Sequence, residues 1–157
     1  MAISKKFLKL LDKNKIKYKI LTHKKVYTAL DKAKTLKVSP KKIVKTLVVK
    51  IGKNFFILNL RADQKVDFKK LEKLGKGKKV SLLSEKEIKK KLKGATLGSI
   101  LPLGIFWKVK TLGDSSLKKQ KEIILNTGDC KNSICLSPKA LEKLDPEILW
   151  GNFGKLK

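Results

Sequence analysis

The stretch KIVKTLVVKIGKNFFILNL, residues 42–60, constrains the fold of this chain more than any other. Two apolar runs rich in β-formers flank Gly52-Lys53-Asn54, which predicts strands over 42–50 and 55–60 joined as a hairpin. Side chains on a strand alternate between faces. Lys45 therefore shares a face with Ile43, Leu47 and Val49, while Thr46 falls with Val44 and Val48. A charge on an apolar face is costly unless it is paired or meets a wet cavity. Lys45 is thus either a ligand-binding group or a lysine that snorkels to solvent.

The elements around the hairpin follow from caps and periodicity. Ser4 can cap a helix carrying Phe7, Leu8, Leu10 and Leu11, and IKYKIL (16–21) alternates as a short strand. Thr28 can cap ALDKAKTLK with Ala29, Ala33 and Leu36 inward, and Asp67 opens a helix through Leu71 and Leu74. Ser84-Glu85-Lys86-Glu87 is a capping-box pattern for a helix to about Leu92. IFWKVK (105–110), EIILNT (122–127) and NSICLS (132–137) read as strands, the last two joined by a turn containing Gly128. Ser137-Pro138 starts a final helix, KALEKL. Short strands interleaved with helices, with at least two hairpins, predict one α+β domain over 1–157 with a mixed, largely antiparallel sheet.

The chain's 157 residues are 41% hydrophobic, enough for one core. Against 13 Asp and Glu stand 40 Lys and Arg, of which only Arg61 is arginine, giving a net charge of +27. Lysine provides diffuse attraction rather than bidentate readout, so the expected partner is a polyanion held through its backbone, nucleic acid above all. The other source of such a charge is lysine gathered at tolerant surface positions, since the lysines run along the whole chain. No apolar run suits a signal peptide or a membrane span. Cys130 and Cys135 are too few for a disulfide framework, and the chain is expected to be cytoplasmic with free thiols. No metal-ligand cluster, P-loop or dinucleotide glycine pattern is present, and His23, the one histidine, has no spacing to a nucleophile.

What remains is Lys45, the uncharged loop GSILPLG (98–104), and polar groups at strand ends: Tyr18, His23, Tyr27, Asp114 and Asn126. Glycines let a ligand approach backbone N–H groups and Pro102 limits wandering, so the loop can form a small-ligand pocket or an oxyanion-type cradle. It can equally be a connection tucked against the core. Asp114 can simply cap the turn at Ser115-Ser116, and the tyrosines and His23 can be half-buried packing or strand-end residues.

In order along the chain, YKILTHKKVYTALDKA (18–33), VSPKKIVKTLVVK (38–50), GSILPLG (98–104), GDSSL (113–117) and EIILNTGDCKNSICLSPKAL (122–141) resemble the YbaK/prolyl-tRNA-synthetase-associated editing domains. The resemblance spans roughly residues 16–144 and rests most on the VKTLVV strand and the G-x-x-x-P loop, Gly98 to Pro102. It implies a barrel-like sheet flanked by helices. It also implies hydrolysis of the ester that joins a wrong amino acid (alanine, cysteine, serine or threonine) to a tRNA, commonly that for proline. Prolyl-tRNA synthetase is a possible partner, and no cofactor, metal or membrane is implied. Catalytic positions carried over are Lys45, Gly98 and Pro102, with the lysine holding the terminal adenosine and its phosphate and the loop lining the aminoacyl pocket. Substrate-binding positions are Tyr18, His23, Tyr27, Thr46, Ser99, Ile100, Leu101, Gly104, Asp114, Asn126 and Gly128. The contrasting expectation is a non-catalytic, lysine-rich RNA-binding or regulatory module, although 6% aromatic residues and no RNP-like motif disfavour common single-strand readers.

Overall fold

Side-chain caps set most of the helix starts. In the computed structural model, which describes residues 2–157, α1 (Lys5–Lys13), α2 (Ala29–Leu36), α3 (Phe68–Leu74) and α4 (Glu85–Lys91) begin after Ser4, Thr28, Asp67 and Ser84. Each of those side chains accepts a hydrogen bond from the backbone N–H three residues on, and Glu87 closes a capping box with Ser84. Each cap is worth about 1 kcal/mol. Helix α5 (Pro138–Leu144) starts instead with proline in its first turn.

Ten strands alternate with these helices: β1 (Lys19–Thr22), β2 (Val44–Ile51), β3 (Asn54–Arg61), β4 (Gln64–Val66), β5 (Val80–Leu82), β6 (Lys110–Asp114), β7 (Ile123–Asn126), β8 (Asn132–Leu136), β9 (Leu149–Gly151) and β10 (Gly154–Leu156). They form sheets ordered β5-β2-β3-β6-β9, β1-β8-β7 and β10-β4. The β3–β6 and β6–β9 pairs are parallel and the other ladders antiparallel. The expected mixed, largely antiparallel α+β architecture is therefore present. The barrel-like closure is not: among the described residues the ladders stay in three sheets, the larger two linked only by a bridge between Ile43 and Ile124.

The hairpin forms as the sequence dictates, with Val44 opposite Arg61 and Ile51 opposite Asn54 across a tight turn. Gly52 sits there at φ +61, where L side chains are disfavoured. Two expected strands differ. The first starts at Lys19 rather than residue 16, because Lys15 takes a positive φ and Ile16 pairs back to Leu11 after α1. IFWKVK is not a strand: Gly104–Phe106 forms a 3₁₀ turn, Lys108 lies at φ 58, and the strand begins only at Lys110.

Strand β2 is covered on both faces, which is why its sequence is nearly continuously apolar. Val44 packs in the cluster around Phe7 and Leu103, and Val48 in that around Ile57 and Ile100. Val49 and Ile51 join Leu58, Leu60 and Leu71, while Ile43, just before the strand, packs with Ala33 and Ile124. Fully burying each such side chain contributes roughly 1.5–3 kcal/mol. Polar groups near the start of β2 are therefore set among four apolar clusters.

Candidate active site

Lys45 and Thr46, near the start of β2, face a cavity of about 250 Å³ whose other walls come from α2, β7 and the glycine loop. Tyr27, Gly98, Ile100 and Asn126 line it with them, as does Lys32 on α2. Segments far apart in sequence thus meet at the point where β2 leaves its clusters. A second, adjoining hollow of about 180 Å³ shares Thr46, Leu47, Gly98 and Ile100 and is otherwise walled by the apolar side chains of Val48, Leu82, Leu83, Ile88 and Leu97 and by Glu85 at the start of α4.

The loop is held by its carbonyls. Asn126 Nδ2 donates to the Ile100 carbonyl at 3.0 Å, Trp107 Nε1 to that of Leu101 at 3.4 Å, and Asn59 Nδ2 to that of Pro102 at 2.8 Å. Asn59 in turn accepts from Thr46 Oγ1 at 2.8 Å, its cross-strand neighbour. The Ile100 backbone N–H donates to no acceptor among the described residues. Gly98 has φ +85, and a Cβ there would lie 3.0 Å from the Tyr27 ring and 3.3 Å from Cys130 Sγ. Glycine at 98 is thus required both by conformation and by the close approach of Tyr27.

The lysines at the two sides of the cavity are unlike the rest. Lys45 Nζ donates to the Gln64 carbonyl on β4. Burial, reinforced by Lys157, lowers its pKa to about 8 against a partial offset from Asp63. Lys32 is 4% exposed, donates from Nζ to Asn126 Oδ1 at 2.8 Å, and is likewise lowered to about 8 by burial. No aspartate or glutamate lines the cavity. An uncompensated cationic cavity favours an anionic or strongly accepting ligand group.

Other expected positions lie outside this cavity. Ser99, Leu101 and Gly128 border a separate cleft of about 340 Å³ against the start of α1. There Ser99 Oγ accepts from the Thr127 and Gly128 N–H groups and fixes the turn after β7 to the loop. Tyr18 packs beside the α1 cluster and its hydroxyl donates to Asp12 at 3.3 Å. The His23 ring bridges Ser133 Oγ at 2.9 Å and the Lys24 carbonyl at 2.8 Å. Gly104 donates to Thr111 Oγ1 and lies so close to the Val109 carbonyl that a Cβ would collide with it. Pro102 contributes its carbonyl to Asn59 rather than lining the cavity.

Asp114 serves the site at one remove. Its Oδ1 accepts from the N–H groups of Phe153 and Gly154, and its Oδ2 from Gln64 Nε2 and from the Ser116 N–H and hydroxyl. Burial alone would raise this carboxyl, but these hydrogen bonds outweigh it and hold its pKa below the usual range. Asp114 thereby holds Gln64, whose carbonyl takes Lys45, and locks β10 beside β4.

Three participants escape the sequence reading: Lys32, Asn59 and Gln64. Lys32 had a signal, since it falls on the same helical stripe as Ala29, Ala33 and Leu36. Asn59, inside FFILNL, is a polar residue in a strand with apolar neighbours on either side. Gln64 sits in RADQKVD with no local pattern to mark it.

Comparisons with known proteins give the family and the fold. The family model for the aminoacyl-tRNA editing domain matches residues 23–144. The prolyl-tRNA editing protein ProX of Acetoanaerobium sticklandii is 29% identical over 140 residues, covering 85% of each chain. The crystal structure of a hypothetical protein superposes with a TM-score of 0.86 at 20% identity, covering 96% of this chain and all (100%) of that one. A structure described as a candidate trans-editing enzyme for prolyl tRNA synthetase superposes at 0.79 and 19% identity, covering 98% and 99%. These superpositions show a shared fold, and the family match covers well over half of the sequence: the chain belongs to the aminoacyl-tRNA editing domain family.

Proposed function

We propose that this chain is an editing domain of the YbaK type that hydrolyses the ester of a mischarged tRNA, a tRNA for proline carrying alanine, cysteine, serine or threonine. The ammonium of Lys45 holds the phosphate of the terminal adenosine. The aminoacyl group enters the cavity beside Gly98 and Ile100, where the free Ile100 N–H is available to a carbonyl oxygen. Water attacks the ester carbonyl, the bond to the ribose oxygen breaks, and free amino acid and uncharged tRNA result. Holding the ester against fixed donors away from bulk water supplies several kcal/mol of barrier reduction.

The single observation that carries this reading is the meeting of Lys45 with the Gly98–Pro102 loop across a small cavity with no carboxylate in its lining. ProX, by its name, edits prolyl-tRNA, which supports the choice of tRNA. The test is a panel of tRNAs for proline charged with alanine, cysteine, serine, threonine or proline, treated with the wild type and with Lys45→Ala. Turnover of at least one mischarged species, spared prolyl-tRNA and loss of turnover in a folded Lys45→Ala are expected. No turnover of any species overturns the reading.

One observation favours a second reading, an RNA-binding module without turnover. Among the described residues only Arg61–Asp63 and Lys118–Glu142 form ion pairs, which leaves almost all of the 40 Lys and Arg side chains without a carboxylate partner. That reading predicts salt-sensitive binding that treats charged and uncharged tRNA alike.

A further inference from the structure

Lys32 is the buried charge that the deacylation scheme leaves without a task. An ammonium has three donors, and in the described residues the Lys32 group uses one, on Asn126 Oδ1 at 2.8 Å. Asn126 cannot turn to offer more, because its Nδ2 is committed to the Ile100 carbonyl at 3.0 Å. No carboxylate lines the cavity, and burial disfavours the charged form. A buried cation with spare donors and no counter-charge is costly, and it is offset only by an acceptor brought in from outside.

The two cavity lysines stand in different company. The Lys45 ammonium lies with Gln64, Asp63 and Lys157, and that of Lys32 with Asn126 and Cys130. With Lys45 taking the phosphate, as proposed above, Lys32 falls at the aminoacyl end beside the glycine loop. The α-ammonium of an aminoacyl group is repelled by Lys32, and the ester carbonyl has the Ile100 N–H. What remains to meet Lys32 is the amino acid's side chain.

We propose that Lys32 and Asn126 form a subsite that reads the aminoacyl side chain and selects one bearing an oxygen acceptor, a hydroxyl or a carboxylate, over a plain methyl. Sites that hydrogen-bond a substrate group discriminate against the analogue lacking it because their own polar atoms are then left unpaired.

The inference rests on the deacylase reading, and its test separates the two. Hydrolysis of tRNA for proline charged with alanine, serine, threonine or aspartate is measured with the wild type, Lys32→Met and Lys32→Gln, each checked for folding by thermal melting. The wild type is expected to prefer an oxygen-bearing substrate over alanine by about tenfold or more in kcat/KM. The serine and aspartate arms tell hydroxyl from carboxylate. In Lys32→Met the ratio falls close to one, and in Lys32→Gln, which keeps a donor, it is partly restored. A wild type without preference, a ratio unchanged in Lys32→Met, or an equal loss on every substrate overturns the subsite. A wild type that hydrolyses none of the four overturns the subsite, and if it also fails on tRNA for proline charged with cysteine it overturns the deacylase reading as well.

Discussion

Asn59 on β3 donates to the carbonyl of Pro102 at 2.8 Å while accepting from Thr46 on β2 at the same distance. The side chain is wholly buried. One amide therefore registers the loop against the strand that carries Lys45.

Replacing Asn59 by leucine keeps the branched shape and leaves the Pro102 carbonyl and the Thr46 hydroxyl without this partner. The expected cost is about 1–3 kcal/mol, read by urea denaturation, together with a loss of deacylation larger than the fraction unfolded explains. Asn59→Asp, which cannot donate when ionised, should lower stability as well.

Lys32 and Lys45 give the fold an alkaline signature. Burial holds each at a pKa of about 8 when folded, against the ordinary lysine value of 10.5. Between these values the unfolded chain binds more protons, so stability rises with pH across this window. Denaturation midpoints measured from pH 7 to pH 10 should climb, and less steeply in Lys32→Met. Affinity for uncharged tRNA should fall over the same range as the Lys45 ammonium is lost, an effect absent in Lys45→Ala.

Asp114→Asn exchanges one acceptor oxygen for an NH₂ group facing N–H or O–H donors. Hydrogen bonds to a charged group are worth roughly 1.5–3 kcal/mol each, so a loss of at least about 2 kcal/mol is expected. Amide exchange should accelerate first in β10 and β4, and the Lys45 acceptor should loosen with them. Because the Asp114 pKa is lowered in the folded chain, its contribution is present above the ordinary carboxylate range and is lost as pH falls from there through the lowered folded value.

Gly98→Ala places a methyl 3.0 Å from the Tyr27 ring at φ +85. Left-handed backbone costs an L residue about 1–2 kcal/mol. A lower melting temperature and a larger fall in kcat than in melting are expected. Paired with Tyr27→Ala, which removes the ring contact but neither the φ nor the approaches to the residue 27 Cα at 3.2 Å and Cys130 Sγ at 3.3 Å, the deficit should be only partly relieved.

Local chemistry made much of this fold legible. The capping side chains at 4, 28, 67 and 84 act within three residues, and the β2–β3 hairpin closes over two, so sequence pattern alone marks them. Pieces that depend on distant partners were not legible. β9 and β10 are three residues each, and they exist because Leu112 to Asp114 and Gln64 to Val66 offer them edges. IFWKVK has the composition of a strand, but the close approach of Gly104 to Val109 coils it instead. In the site, Lys45 and the glycine loop stood out as breaks in pattern. Lys32 was hidden by abundance, one lysine in a chain where lysine is commonplace, although its place on the α2 stripe distinguished it.

The pairing of β4 with β10 sets an order of assembly during translation. Gln64, whose carbonyl receives Lys45, acquires this neighbour only when residues 154–156 have been synthesised, long after β2, the loop and β7. A chain still leaving the ribosome can hold its hairpin and helices, yet its lysine lacks a settled acceptor. On the deacylase reading, activity is therefore expected only after β10 has paired with β4, which puts the last-made strand in control of when the site starts to work.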